Sequence, residues 1–409
     1  MKSVGSAMVA DKPTQELTHR RESMPTWPHY GPAERAAVDA ALASGRVNYW
    51  TGDEGRRFEI EYADYLGVSH AIALANGTVA LELALRMWNI GEGDDVIVTP
   101  RSFIASASCA VLLGARPVFA DVDSDSGNIT AETISRVITP KTRAIIPVHL
   151  AGWPCDMDSI MSLAEHHNVR VLEDCAQANG ARFKGKPVGA FAHAAAFSFC
   201  QDKIISTGGE GGLLATSDDT LWESAWSFKD HGKSWQAVYK SQHGPGFRWV
   251  HERFGTNWRL TELQAAIGRI QLGKLDQWVE KRRLNAAILA QRLGALSALR
   301  IPPVSADVYH AYYKFYAYVR PEALRAGWSR DRLVAAIVET EVPCFSGSCS
   351  EMYRERAFEN AGLAPAEPLP IAAELGNTSL MFLVHPTLEE EHMHRICDAV
   401  ADVIKRATA

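Results

Sequence analysis

Lys203 lies between the apolar run 195–199 and the glycine-dense turn 208–212. A lysine that loses solvent in such a place has a lowered pKa, and its free amine can act as a nucleophile or form a Schiff base. Most lysines at strand ends simply face water. Lys203 is therefore a candidate catalytic residue only if other segments supply a cofactor site.

Two adjacent acidic residues, Glu173 and Asp174, follow the strand-like run 169–172. Neighbouring residues of a strand face opposite sides, so one of the two carboxylates must point into whatever lies beyond the sheet. Ligands of parallel sheets bind at the carboxyl ends of the strands. A buried carboxylate there needs a partner, either the protonated ring nitrogen of a cofactor or a structural contact such as a salt bridge or a helix cap.

The residues Asn76-Gly77-Thr78 open a helix-like run at 79–85. A helix N-terminus presents free backbone N–H groups and the positive end of the helix dipole, and a glycine lets an anion approach closely. This pattern suits a phosphate, with the threonine hydroxyl as a further donor. The alternative is an ordinary N-cap, in which Asn76 or Thr78 satisfies the free donors.

Together the three segments predict more than each does alone. A phosphate seat, an acid for a pyridine nitrogen and a lysine 29 residues after Asp174 are the parts that hold pyridoxal 5'-phosphate. The spacing of the glycines in the turn 208–212 matches neither the dinucleotide-binding fingerprint nor the P-loop, so neither NAD nor ATP is indicated. We therefore predict a pyridoxal phosphate site.

The elements that position these residues are predicted to form an α/β fold. From about residue 94 to 217, short apolar runs alternate with longer helix-like stretches, a pattern typical of a mostly parallel sheet covered by helices. The composition shifts at Ile301-Pro302-Pro303. We predict an N-terminal tail or arm at 1–25, a cofactor-binding large domain at 26–285 and a small C-terminal α/β domain at 286–409.

Composition excludes several classes of function. The 409 residues include 42 Lys plus Arg against 48 Asp plus Glu, a net charge of −6, which disfavours nucleic acid as a partner. No apolar run approaches the roughly 20 residues of a membrane span, and no secretory signal is present at the N-terminus. The seven cysteines predict neither disulfides nor a metal site, since Cys344 and Cys349 lack a second ligand pair. We expect a soluble, cytoplasmic protein.

Several segments occur in an order that is typical of one family. They are Thr51-Gly52, Asn76-Gly77-Thr78, Glu173-Asp174-Cys175-Ala176-Gln177, Ser198-Phe199 with Lys203, Gly209-Glu210-Gly211-Gly212 and Gly255-Thr256-Asn257-Trp258-Arg259. From about Arg46 to the C-terminus the chain resembles the DegT/DnrJ/EryC1/StrS family of sugar aminotransferases. The resemblance implies the fold-type I architecture of aspartate aminotransferase, with a mostly parallel central sheet in the large domain.

The resemblance also implies roles around the cofactor ring. Lys203 would carry the cofactor as a Schiff base and move protons, and Asp174 would pair with the pyridinium nitrogen. Gln177 would lie near the ring hydroxyl, and Phe103 would stack on the ring. The chemistry has a physical logic, because a ring that stays protonated can accept electrons from the substrate.

At the phosphate, the resemblance implies Gly77, Thr78 and Ser198 from the same chain. Asn257 would reach the phosphate from the neighbouring subunit, so the working unit is expected to be a homodimer with shared active sites.

The chain departs from the family pattern at one place. Many members have histidine directly after the Ser-Phe pair, where this chain has Cys200, and proline is common where it has Gln201. A branch of the family that dehydrates sugars has histidine in place of the Schiff-base lysine, so Lys203 favours transamination.

The segment 229–259 carries six positive and two negative side chains, interleaved with aromatic residues. We predict that Lys233, Arg248 and Arg259 bind the diphosphate of a nucleotide-linked substrate, with an aromatic ring on the base. The alternative is a solvated loop at a dimer interface.

The predicted function is transfer of an amino group from an amino acid, L-glutamate by family habit, to a keto sugar linked to a nucleotide. The product would be an amino sugar for cell-surface polysaccharide or a related glycan. One alternative is the same reaction on a keto-cyclitol in aminoglycoside synthesis. Another, of a different class, is a protein that binds pyridoxal phosphate as a sensor or scaffold without turnover.

Overall fold

A computed structural model describes residues 24–408. The predicted arm at 1–25 therefore lies almost entirely outside the described residues. The helices are α1 (Pro32–Ala43), α2 (Glu54–Leu66), α3 (Gly77–Met87), α4 (Ala105–Val111), α5 (Ala131–Ser135), α6 (Met157–His166), α7 (Asp219–Lys229), α8 (Trp235–Tyr239), α9 (Glu262–Leu272), α10 (Leu275–Gly294), α11 (Arg330–Val338), α12 (Arg356–Asn360), α13 (Pro370–Thr378) and α14 (Glu390–Thr408). The strands are β1 (His70–Leu74), β2 (Asp95–Val98), β3 (Arg116–Phe119), β4 (Thr142–Ile146), β5 (Arg170–Asp174), β6 (Arg182–Phe183), β7 (Lys186–Pro187), β8 (Ala194–Ser198), β9 (Gly212–Thr216), β10 (Leu299–Arg300), β11 (Val308–Tyr309), β12 (Phe315–Val319) and β13 (Ser379–Phe382).

The central sheet has seven strands in the order β1-β9-β8-β5-β4-β2-β3. The strands from β3 to β8 in that order pair in parallel, and only β9 runs antiparallel to both of its neighbours. Strands β2, β8 and β9 are buried along their whole length, as expected for a sheet covered by helices on both faces. The predicted α/β fold with a mostly parallel sheet is confirmed.

The two central strands β5 and β8 bring distant parts of the sequence together. They pair in parallel, with Asp174 opposite Ala196. Because parallel strands end at the same edge of the sheet, Asp174 and Ser198 emerge close to each other, at the edge where such sheets bind ligands.

A second, three-stranded sheet in the order β10-β12-β13 forms beyond the central sheet. Its core includes residues of α11 and α14. The long helix α10 belongs to both cores, since Leu275 and Val279 pack in the first and Leu289 and Leu293 in the second. The predicted domain boundary at 285 falls within this helix, and the division into domains stays a prediction.

Between residues 24 and 408 no helix has the length and the apolar character that a membrane crossing requires.

Candidate active site

A cavity of about 1370 Å³ opens at the carboxyl ends of β5 and β8. Its far side is formed by residues 24–27 and by residues next to β12 and β13. Seven of the residues predicted from the sequence line this cavity: Gly77, Thr78, Phe103, Asp174, Gln177, Ser198 and Lys203. Residues more than a hundred positions apart in the chain therefore share one space.

Asp174 is the buried acid of this cavity. Ser106 donates its hydroxyl proton to Asp174 Oδ2 at 2.7 Å, and the backbone N–H of Ala176 donates to Oδ1 at 3.1 Å. Burial raises the pKa of Asp174, and these hydrogen bonds and the positive charge of Lys203 oppose the rise. A cationic group placed against this carboxylate would stabilise its charged form.

The neighbouring acid, Glu173, faces the opposite side, as the alternation of a strand requires. Its carboxylate accepts hydrogen bonds from the backbone of Gly189 at 2.7 Å and from Phe191 and Ala192 at 2.9 Å each. His149 Nε2 lies 3.1 Å from the same carboxylate. Glu173 thus fixes the loop that leads into β8, while Asp174 is left for the cavity.

His149, Glu173 and Cys175 lie close enough together to suggest a metal site. The hydrogen bonds give a different explanation. His149 Nδ1 accepts a hydrogen bond from the backbone N–H of Cys155 at 3.0 Å. The ring proton is therefore on Nε2, which donates a hydrogen bond to Glu173. Because both ring nitrogens are already used, this cluster is a structural network.

Lys203 lies in the turn that follows β8. Its backbone carbonyl accepts a hydrogen bond from Trp27 Nε1 at 2.8 Å. Its Nζ lies 4.9 Å from the centre of the Tyr313 ring, and Tyr313 donates its hydroxyl proton to Asp202. The lysine is thus held between the N-terminal segment and the second sheet, with its amine in the cavity.

The N-terminus of α3 meets the end of β8. Asn76 is the N-cap, and its side chain accepts a hydrogen bond from the backbone N–H of Val79 at 3.0 Å. The N-cap alternative is therefore correct for the N–H group of Val79. The backbone N–H groups of Gly77 and Thr78 have no hydrogen-bond partner within residues 24–408. They line the cavity beside Ser198, and together these groups can hold a phosphate.

Gly77 is required by close packing at this place. A Cβ on residue 77 would lie 2.8 Å from Ser198 Cβ and 3.2 Å from the Phe197 carbonyl oxygen, which is closer than side chains tolerate. Cys200, the residue that departs from the family pattern, also lines the cavity and donates its backbone N–H to Ser198 Oγ at 3.3 Å.

Phe103 and Gln177 offer contacts for a flat ring. The Phe103 side chain is 68% exposed although it lines the cavity, so its face is free to stack against a bound group. Gln177 Oε1 accepts from the backbone N–H of Ala151 at 2.8 Å, which fixes the orientation of the side-chain amide.

Four predicted site residues lie outside the lining of this cavity: Asn257, Lys233, Arg248 and Arg259. Asn257 and Arg248 are exposed. Lys233 Nζ and Arg259 Nη1 lie 3.0 and 2.8 Å from the same oxygen of Asp230, a fully buried residue.

The positive charge of the segment 229–259 is smaller than its sequence indicates. Lys229 is fully buried, with its Nζ 3.6 Å from Glu59 and 3.6 Å from the centre of the Tyr49 ring. With Lys233 and Arg259 held by Asp230, three of the six cations already have acidic partners. The net charge available to a ligand is reduced accordingly.

Sequence reasoning missed several residues of the cavity. Ser106 had a signal, since it follows Ser102 by one helical turn and the two hydroxyls lie 3.0 Å apart. Other residues of the lining have no sequence signal that marks them: Trp27, Arg282, Tyr313, Lys314 and His385.

Comparisons with known proteins agree with this geometry. The model of the DegT/DnrJ/EryC1/StrS aminotransferase family matches residues 28–401. GDP-perosamine synthase from Escherichia coli O157:H7 is 35% identical over 363 residues, which cover 89% of this chain and 92% of that protein.

A second relative, UDP-N-acetyl-3-dehydro-alpha-D-glucosamine 3-aminotransferase from Acidithiobacillus ferrooxidans, is 37% identical over 361 residues, 88% of this chain and 90% of that protein. Among solved structures, an aminotransferase from Psychrobacter cryohalolentis is similar with a TM-score of 0.92 and 52% identity, over 94% of this chain and all of that one.

Proposed function

The chain belongs to the DegT/DnrJ/EryC1/StrS aminotransferase family, and on that premise we propose that it moves an amino group from L-glutamate to a keto sugar linked to a nucleotide. It is an aminotransferase that uses pyridoxal 5'-phosphate. The names of its relatives support the substrate class, because one makes a GDP-linked amino sugar and another acts on a UDP-linked one. The product is an amino sugar for a polysaccharide or a related glycan.

The observation that carries the proposal is that one cavity holds a buried carboxylate, a lysine amine and an open helix N-terminus. These three groups match the chemistry of pyridoxal phosphate, and they line the same cavity. Gly77 and Thr78 offer free N–H donors to a phosphate, Asp174 offers a negative charge to a ring nitrogen, and Lys203 offers an amine. The cofactor supplies a ring that takes up the amino group and accepts electrons from the substrate.

The residues of this chain have separate tasks in that reaction. Asp174, held by Ser106, would keep a ring nitrogen protonated. Lys203 would hold the cofactor through its amine and would also be the group that moves a proton. Phe103 would support one face of the ring, and Gln177 would contact the ring hydroxyl, since both line the cavity.

A homodimer is the proposed working unit. Asn257 and Arg248 are exposed and lie outside the cavity of their own chain, which supports a role in the cavity of a partner subunit. The same segment exposes large aromatic side chains, Trp249 at 85% and Phe254 at 100%. Exposed apolar surface of this kind marks an interaction site.

The predicted nucleotide contacts remain part of this proposal. Arg248 is free to contact phosphate, whereas Lys233 and Arg259 would have to exchange or share their contact with Asp230. The cytoplasmic location stays a prediction.

The test of the proposal separates the two half-reactions. Purified holoenzyme is mixed with L-glutamate, and loss of the visible absorbance of the cofactor reports amino transfer to it. A panel of keto sugars, each as the GDP, UDP and dTDP derivative and as the free sugar, is then added, together with keto-cyclitols. The proposal predicts that a nucleotide-linked member restores the original absorbance. Restoration by free keto sugars or keto-cyclitols alone would contradict it.

A further inference from the structure

Arg282 of α10 is a buried cation in the wall of the cavity. Its residue is 1% exposed. Nη1 donates to the carbonyl oxygens of Tyr312 and Tyr313 at 3.4 and 3.3 Å, and the guanidinium lies 5.0 Å from the centre of the Trp27 ring. These contacts hold one edge of the guanidinium and leave the other edge free.

The other edge of the guanidinium has no hydrogen-bond partner among the residues that the structure describes. Nε and Nη2 of Arg282 make no hydrogen bond to any residue within 24–408, and the carboxylate whose charge acts on Arg282 is that of Asp202. Leaving donors of a charged group buried and unpaired is costly. Burial accordingly lowers the pKa of Arg282 to about 9.

Buried arginines elsewhere in the molecule do not share this setting. Arg101 also has unpaired donors, but its guanidinium lies 5.2 and 5.7 Å from the centres of the Tyr316 and Tyr318 rings. Arg101 is not part of the cavity lining. Arg282 is, so its unpaired guanidinium edge is buried in the wall of the cavity.

A second cation, Lys314, lies next to Arg282 in the same wall. Its Nζ is 4.5 Å from the centre of the Tyr313 ring, which also contacts Lys203. Its one acidic contact within the described chain is Asp202, at 3.7 Å. Burial and the charges of Arg282 and Lys203 lower the pKa of Lys314 to about 8. Two basic groups thus face one space with a single carboxylate between them.

We propose that Arg282 and Lys314 form a subsite for the carboxylate of the amino donor. A guanidinium edge with two free donors matches the two oxygens of a carboxylate. The Tyr313 ring links Lys314 to Lys203, so an amino acid can present its amine to Lys203 while its carboxylate contacts the cations. This proposal rests on the proposed function, because it names the residues that select the donor.

The test uses an inhibitor that cannot react. Succinate carries two carboxylates and no amine, and succinamide is its neutral counterpart. Each is titrated into holoenzyme during the half-reaction with L-glutamate. We expect succinate to compete with glutamate and succinamide to have no effect. In Arg282→Gln and Lys314→Gln the inhibition constant of succinate and the half-saturating glutamate concentration should both rise at least about 10-fold, with the absorbance of the bound cofactor retained.

The matched control is Arg283→Gln, one position along the same helix. Arg283 lies over the Tyr309 ring at 4.0 Å, donates to the His310 carbonyl oxygen and is absent from the cavity lining. Its replacement should leave the succinate inhibition constant unchanged. If Arg282 had only a structural role, Arg282→Gln would be less stable but would still be inhibited by succinate, and not by succinamide, as wild type is.

Two results would overturn the subsite. One is that wild-type enzyme binds succinate and succinamide equally. The other is that Lys314→Gln keeps the wild-type inhibition constant for succinate. This second comparison can be made even if Arg282→Gln fails to fold. Failure of the proposed function is recognised separately. In that case glutamate would not react at all, while succinate binding can still be followed through the cofactor absorbance.

Discussion

Ser106 donates its hydroxyl proton to Asp174 Oδ2 across 2.7 Å, which ties the first turn of α4 to the end of β5. The bond favours the charged carboxylate, whereas burial favours the neutral acid. Ser106 therefore influences how well Asp174 can keep a cofactor ring protonated.

Replacing Ser106 by alanine removes this bond. The pKa of Asp174 should rise further, and the rate of the glutamate half-reaction should fall by about 10-fold or more. The acid limb of its pH profile should shift to higher pH. Ser108→Ala, on the same helix, is the control. An unchanged pH profile in Ser106→Ala would show that the bond has no part in the reaction.

Asp174 should also make the cofactor-free enzyme less stable as the pH rises. Its pKa is raised in the folded state, so the folded protein binds that proton more tightly than the unfolded chain does. The stability it contributes is fully present below the unfolded pKa of about 4 and is lost as pH rises through the folded pKa, by about 1.4 kcal/mol per unit of pKa difference.

Cofactor-free Asp174→Asn should therefore unfold at a higher urea concentration than wild type at pH 8, and the difference should shrink toward pH 4. Bound cofactor should reverse the order at pH 8, since it supplies the partner that the carboxylate lacks. Equal urea midpoints for the two cofactor-free proteins at pH 8 would refute the view that burial of the charged Asp174 carboxylate destabilises the cofactor-free protein.

Gly77→Ala should weaken cofactor binding. The new Cβ would lie 2.8 Å from Ser198 Cβ, and relieving this overlap must separate α3 from β8 at the place where phosphate is proposed to bind. Overpacking of this kind costs about 1–3 kcal/mol, so the dissociation constant for pyridoxal phosphate should rise about 10-fold or more. Gly244→Ala, where a Cβ meets nothing within 4 Å, should bind like wild type.

Mixing two inactive variants tests the shared site. Lys203→Ala removes the amine, and Asn257→Ala removes the residue proposed to act across the dimer. A mixed dimer would contain one complete site, made of Lys203 from one subunit and Asn257 from the other. After unfolding and refolding together, the mixture should regain roughly a quarter of wild-type activity, as expected for random pairing in a two-fold dimer.

The mixing experiment has a clear negative result. If Asn257 acted within its own subunit, neither site of the mixed dimer would be complete and the mixture would stay as inactive as the two variants alone.

The fold class depends on local sequence and was predicted correctly, since the mostly parallel sheet follows from the apolar runs. Gly77 and Asp174 lie where α3 begins and β5 ends, and Lys203 lies in the turn after β8. The structure brings all three to one cavity, and their roles there stay predictions. Strand alternation alone could not decide between Glu173 and Asp174, since it requires only that they face opposite sides. The resemblance to the family supplied that choice.

Features that depend on distant partners were not accessible. The sequence indicates that Lys229 is a free cation. In the structure it is buried against Glu59, which lies far away in the chain. Arg282 resembles any charged residue of a long helix. Its burial in the cavity depends on the packing of α10 between the two sheets, and no local pattern reports that packing.

The most direct measurement of the central claim is to find which lysine carries the cofactor. Lys314 is a real competitor, because its lowered pKa of about 8 leaves part of its amine uncharged near neutral pH. Holoenzyme is reduced with borohydride, digested and mapped by mass spectrometry. We expect a pyridoxyl group on Lys203 alone, and none in Lys203→Ala. A label on Lys314 or on another residue, or no label in wild type, would contradict it.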